Sequence, residues 1–313
     1  MQTNEEIFAE KKIQKNDVDA AAEAEPRKKK SQARDIWRLF KKNRTAMVGL
    51  FILGLLFALA IFADVLAPGT ETRPGYDIHV LGNTFQPPSA EHWFGTDNFG
   101  RDIFARVAHG ARISLQIGFV VVSISMVTGV ALGAISGFYS GVIDNVIMRA
   151  IDILLAIPHI LLAISITAAL GAGLNSVMIA VGISAISSYA RIVRASVLTL
   201  RDQEFIEAAR SIGASNFRLI ARHILPNCLA PIIVQATMGM AFGITWAASL
   251  SFIGIGVQPP TPEWGAMLAE GRRFIRDHWH MVLFPGVAIA SLIFALNMIG
   301  DGLRDAFDPR LKR

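Results

Sequence analysis

Six stretches of this chain are each long and apolar enough to cross a hydrocarbon layer: 46–66, 113–138, 146–170, 177–193, 229–250 and 282–302. At 1.5 Å of rise per helical residue, about 20 residues span roughly 30 Å of hydrocarbon. Lipid offers no partners to a backbone, so each segment has to close its own hydrogen bonds. The expected fold is therefore all-α, a polytopic membrane protein with six transmembrane helices. Composition agrees: 52% of residues are hydrophobic and 18% charged, less charge than soluble domains carry. The first span has too long an apolar core for a removable leader and reads as a retained anchor.

Most of the 30 lysines and arginines fall on one side if the N-terminus is placed inside, which predicts both termini in the cytoplasm. Arg101, Arg106 and Arg112, close to the second span on the outside, run against the bias. The chain then divides into a disordered basic cytoplasmic tail (1–45), a first anchor (46–66), an outside loop (67–112), a transmembrane domain (113–303) and a second cytoplasmic tail (304–313). Within the transmembrane domain lie a polar cytoplasmic loop, 201–227, and an outside loop, 258–280. In the latter, Pro259, Pro260 and Pro262 stiffen the start and Trp264 suits a membrane interface.

The polar loop is patterned as a helix-turn-helix. The stretch opens at Glu204, a first helix covers Phe205 to Ala209, and Gly213 supplies the left-handed residue that ends it. Ser215 caps a second helix whose Phe217, Ile220, Ala221 and Ile224 share one face, and Leu225-Pro226 is expected to stop it. Such an element needs a surface to dock on; the alternative is an amphipathic connector lying on lipid.

No lysine occurs between Lys42 and Lys312, so no GxxxxGK[ST] phosphate loop exists in the folded part. Energy from ATP would have to come from another polypeptide. The lone Cys228 has no partner for a disulfide, His278 and His280 lack further ligands, and neither GxSxG nor HExxH occurs; no catalytic, cofactor or metal site is assigned. Arg149 and Asp152 are charges within the third span, spaced i, i+3 to pair on one helix face. Pro158, Pro231 and Pro285 are candidate kinks in the third, fifth and sixth spans. Small residues recur every fourth position at Ser125, Gly129, Gly133 and Gly137, and at Gly239, Gly243, Ala247 and Ser251, a pattern for close helix packing within the chain, with a contact to a second membrane subunit as the alternative for either row.

Glu207-Ala208-Ala209, three residues, Gly213, then Leu225-Pro226 resembles the cytoplasmic coupling loop of binding-protein-dependent ABC importer permeases, with His223 where an isoleucine is usual. The blocks His92 to Leu115, Met148 to Pro158, Pro259 to Leu268 and Asp301 to Lys312 are similar to those of the dipeptide, oligopeptide and nickel branch, most like the second permease subunit of dipeptide or glutathione importers. The resemblance implies an inner-membrane subunit that forms a translocation pathway with a homologous permease. It further implies two ABC ATPase subunits or domains that bind the ATP, a periplasmic or lipid-anchored substrate-binding protein, and no nucleic acid. Short peptides are the implied substrate; nickel or another small solute, and a stand-alone secondary transporter, are the alternatives.

Overall fold

The structure, a computed structural model, describes residues 32–70 and 73–307. Five helices in it are long and apolar enough to cross a membrane, and two shorter helices, bent by 90° to one another, pass the same test together as a pair. In chain order they begin with α1 (Gln32–Lys42), α2 (Arg44–Ile61) and the short α3 (Ala63–Leu66). A mostly irregular segment leads to α4 (Ile103–Tyr139), then α5 (Gly141–Ala156), α6 (His159–Leu170) and α7 (Leu174–Leu200). After α8 (Glu204–Ser211), α9 (Asn216–Arg218) leads into α10 (Leu229–Ile253); α11 (Trp264–Gly271) and α12 (His280–Phe307) complete the described chain. Among the described residues the single isolated β-bridge is Thr96 with Asp102.

The spaced small residues are what bring the helices together. A Cβ added at Gly133 would lie 2.4 Å from the Ala190 carbonyl oxygen, and one at Gly129 would lie 2.5 Å from the Tyr189 Cβ. Gly137 meets Val197 in the same way, so α4 and α7 touch backbone to backbone along one stripe. The second row acts likewise on other neighbours: Gly239 faces the Tyr189 hydroxyl and Gly243 faces Val121. Both rows pack within this chain.

The bend expected at Pro158 is present and is sharp enough to divide the third span, and the expectation of a wholly disordered first tail is corrected. The third span, 146–170, is not one helix. Ile157 takes the extended conformation (ψ 125°) that a following proline favours, and Pro158 then starts α6 in a new direction. Pro285, by contrast, sits inside α12 without interrupting it. The tail expected to be disordered over 1–45 is helical at Gln32–Lys42. Ile36, Leu39 and Phe40, at i, i+3 and i+4, pack against Leu303 and Ala306 of α12. Asn43 caps the next helix by accepting from the Ala46 amide at 3.1 Å and donates to Asp305 at 3.1 Å. The rest of that tail, and the end of the tail 304–313 beyond Phe307, lie outside the described residues.

At the far end of the bundle from α8, buried charge clamps the segment before α4 onto α11. Asp97 accepts from Arg101 Nε at 2.6 Å and from Arg106 Nη1 at 2.9 Å, and Glu270 accepts from the same two arginines at 2.9 and 2.6 Å. Two arginines that weaken the inside-positive bias are thus neutralised by the chain's own carboxylates, and Arg112 pairs with Asp64 at 2.9 Å. Glu263 caps α11 through the amides of Gly265 and Ala266; burial pushes its carboxyl above the usual range, opposed by those two hydrogen bonds. Trp264, expected at a membrane interface, is instead fully buried, its indole donating to the Val107 carbonyl at 3.0 Å across Gly110. An indole has one donor to satisfy, and the bare Gly110 leaves room for the ring.

Candidate functional site

The loop between α7 and α10 folds as two short helical arms joined at Gly213. α8 ends in a paired C-cap: the Ala214 amide donates to Ala209 O at 3.1 Å and the Gly213 amide to Arg210 O at 3.0 Å. This geometry requires a left-handed residue, and Gly213 has φ +86° with nothing within 4 Å of where a Cβ would stand. Ser215 then caps the second arm, its Oγ accepting from the Arg218 amide at 3.4 Å.

Pro226 does not stop that arm. The backbone widens into a π-helical turn over Leu219–Ile224, tightens to 3-10 over Leu225–Cys228, and continues as α10. A proline removes one intrahelical donor and crowds the preceding turn, and a local π turn re-registers the hydrogen bonds so that the helix passes it. The second arm and the fifth membrane helix thus form one element, Asn216–Ile253.

The apolar residues of the loop divide into two sets. Ile206, Ala209, Leu219, Ile224 and Cys228 are buried against Val193 and Val197 of α7 and Ala134 of α4. Facing outward are Ile212, 87% exposed, and Phe217, 80% exposed, with Phe205 at 41%. Phe217 was expected on the same sticky face as Ile224; the π turn rotates the two apart. Glu204, Glu207 and Ala208 are exposed beside them, as are Ser215 and Pro226, while Leu225 is half-buried. Neither Glu204 nor Glu207 has an ion-pair partner among the described residues.

The root of the loop is held by charges that sequence reasoning missed. Arg194 of α7 grips Asp144 of α5 in a two-pronged contact, Nε to Oδ1 at 2.7 Å and Nη2 to Oδ2 at 2.6 Å. Ser136 also donates to that carboxylate, and Arg201 donates to Gly137 O at 3.1 Å and to the Ser140 hydroxyl. Asp144 and Arg194 lie 50 positions apart, so no local spacing signals them. Only the unexplained arginines at 194 and 201, next to an apolar run, could have raised the question.

The pairing of Arg149 with Asp152 is corrected. Asp152 receives Arg191 of α7 at 2.6 Å, and Arg149 is exposed with no ion pair among the described residues. Helical spacing permitted the local pair, but the adjacent helix presents a planar guanidinium, the better match for a carboxylate across a helix interface. Both partners are about half exposed. A double-mutant cycle on thermal stability in detergent should give a coupling of up to about 1 kcal/mol for 152 with 191, and none for 152 with 149.

The loop thus presents Ile212 and Phe217 outward beside Glu204 and Glu207, which have no ion-pair partner among the described residues. Among the described residues no three His, Cys, Asp or Glu side chains gather where a metal ion could be held. Residues 129–313 match the family described as binding-protein-dependent transport system inner membrane component. Residues 31–88 match the N-terminal transmembrane domain of oligopeptide transport permease C. A dipeptide transport system permease protein of Alkalihalophilus pseudofirmus is 50% identical over 281 residues, covering 89% of this chain and 90% of that one. A glutathione transport system permease protein of Escherichia coli O6:K15:H31 is 47% identical over 297 residues, covering 94% and 97%. In fold, the chain is similar to an inward-facing methionine ABC transporter, with a TM-score of 0.54 at 19% identity over 66% of this chain and 98% of that one.

Proposed function

This chain belongs to the binding-protein-dependent transport system inner membrane components, and from that premise we propose that it pairs with a homologous permease to form the membrane pathway of an ATP-driven importer of short peptides. Its relatives named for dipeptide and glutathione transport support the substrate class. The observation that carries the ATP-driven reading is the loop at 204–228: Ile212 and Phe217 stand bare of the bundle on an arm whose other face is packed into it. An exposed apolar pair on a rigid mount fits a cleft in a partner subunit, here an ABC ATPase that binds and hydrolyses the ATP. A periplasmic or lipid-anchored binding protein delivers the solute at the opposite end.

Co-purification tests this. The chain is expected to elute with an ATPase subunit and a second permease, and to hydrolyse no ATP when purified alone. ATP-independent uptake by the lone chain would instead place it among secondary transporters.

Orientation is tested by labelling single cysteines in a Cys228→Ala background. Asp277→Cys should react with an impermeant reagent in intact cells and Val142→Cys should not. Val142 is preferred to its neighbour Gly141, whose φ of +60° disfavours a side chain. The reverse labelling pattern would put the loop outside and remove the ATPase from reach.

A further inference from the structure

A cavity of about 180 Å³ lies among α6, α7 and α10, lined by His159, Ala185, Ser188, Tyr189, Gln235 and Trp246, with Gly239 in its wall. Register places it at mid-depth. Ala185 to Tyr189 fall near the centre of α7 (Leu174–Leu200) and Gln235 to Trp246 near the centre of α10 (Leu229–Ile253). His159 is the first residue of α6, directly after the bend that divides the third span. The bend therefore sets a helix start beside the cavity.

Its lining selects for a kind of ligand. No Asp, Glu, Lys or Arg contributes, so a charged group would shed its hydration there without compensation. The polar groups present include an imidazole, two hydroxyls and a carboxamide. His159 Nδ1 lies 2.8 Å from the Ser184 carbonyl, which can only accept, so Nδ1 carries a proton, and in the neutral tautomer this selects, Nε2 is an acceptor. The His159 ring lies against Trp246, centroids 5.0 Å apart, and the Tyr189 hydroxyl donates to the Gln235 carbonyl at 3.3 Å. That donation leaves the Gln235 carboxamide, with one donor group and one acceptor group, to match a peptide bond. A Cβ at Gly239 would sit 2.4 Å from the Tyr189 oxygen, so glycine is what admits this tyrosine. The volume is close to that of engineered cavities of about 150 Å³ that take up benzene, enough for one side chain and not for a whole peptide.

We propose that this cavity is a transient seat for one uncharged, aromatic or bulky aliphatic side chain of a peptide in transit, with His159, Gln235 and Ser188 matching the adjoining peptide group. The inference rests on the short-peptide reading above. It places a size and charge filter inside the pathway, beyond whatever selection the binding protein makes.

The test uses the assembled transporter in proteoliposomes, with saturating binding protein and two probes, alanyl-alanine and phenylalanyl-alanine. Ala185→Phe fills the cavity from α7. Uptake of phenylalanyl-alanine relative to alanyl-alanine should fall roughly tenfold or more, the spread a side-chain pocket can give. Equal loss for both peptides, or no loss for either, would overturn the proposal. Ser188→Cys in a Cys228→Ala background gives a second reading that needs no bulky change: phenylalanyl-alanine should slow its modification by a small thiol reagent, and an unaltered rate during turnover counts against the seat. If the parent complex imports neither peptide, the substrate reading falls first and the seat falls with it.

Discussion

Gly133→Leu is expected to prevent stable accumulation of the protein in the membrane. A single added Cβ already meets the Ala190 carbonyl at 2.4 Å and the Arg194 amide at 3.0 Å, and these are backbone atoms that no rotamer change can move. The two helices would have to separate along the stripe that Gly129, Gly133 and Gly137 share. Overpacking commonly costs about 1 to 3 kcal/mol, and a leucine against backbone should exceed that, in a protein whose whole margin is about 5 to 15 kcal/mol. Separation would also pull Arg194 from Asp144 and so loosen the root of the loop. Gly54→Ala supplies the control, because its added Cβ meets nothing within 4 Å. Membrane abundance and the midpoint of thermal aggregation in detergent check both. Normal levels of the Gly133→Leu protein would mean that α4 and α7 do not pack as described.

Loss of uptake without loss of protein is expected for Gly213→Val. At φ +86° a β-branched side chain is strained by about 1 to 2 kcal/mol, although no neighbour is struck. The strain falls on the hinge between the two arms, so it shifts Ile212 and Phe217 relative to each other while the buried face of the loop stays packed. Gly213→Asn, which tolerates the left-handed region, should retain most of the activity. Glu207→Lys reverses a charge on the exposed face and should weaken ATPase association independently of the hinge. Uptake, membrane abundance and ATPase co-purification are the three measurements. Full uptake by both Gly213→Val and Glu207→Lys would reduce the loop to a connector.

The features legible in the sequence are those set by residues acting over a few positions. Gly213 and Ser215 announced the hinge and the cap because their chemistry is local, and the small-residue rows announced helix contact because the repeat is the contact. Pro226 misled for the opposite reason: whether a proline ends a helix depends on what the preceding turn can absorb, and a π turn has no sequence marker as plain as the proline itself. Asp152 was paired with the nearest cation in sequence, while its partner arrives from another helix, 39 positions away. Trp264 reads as an interfacial residue until Gly110, far away in the chain, is seen to make room for it. The amphipathic Gln32–Lys42 lay within a run of charge whose composition resembles disorder, and its apolar edge has meaning only once α12 is beside it.

The unbroken run from Asn216 to Ile253 makes the loop's second arm and the fifth membrane helix one lever. Thirty-eight residues at 1.5 Å each give a rod of about 57 Å. Phe217 stands at its tip, and the packed turn around Leu219, Ile224 and Cys228 serves as the fulcrum. A sideways push at the tip is then delivered as an opposite swing of the long arm, enlarged by the ratio of the arm lengths. Gln235, Gly239 and Trp246 ride on that arm, so the wall of the mid-depth cavity moves whenever the tip is displaced.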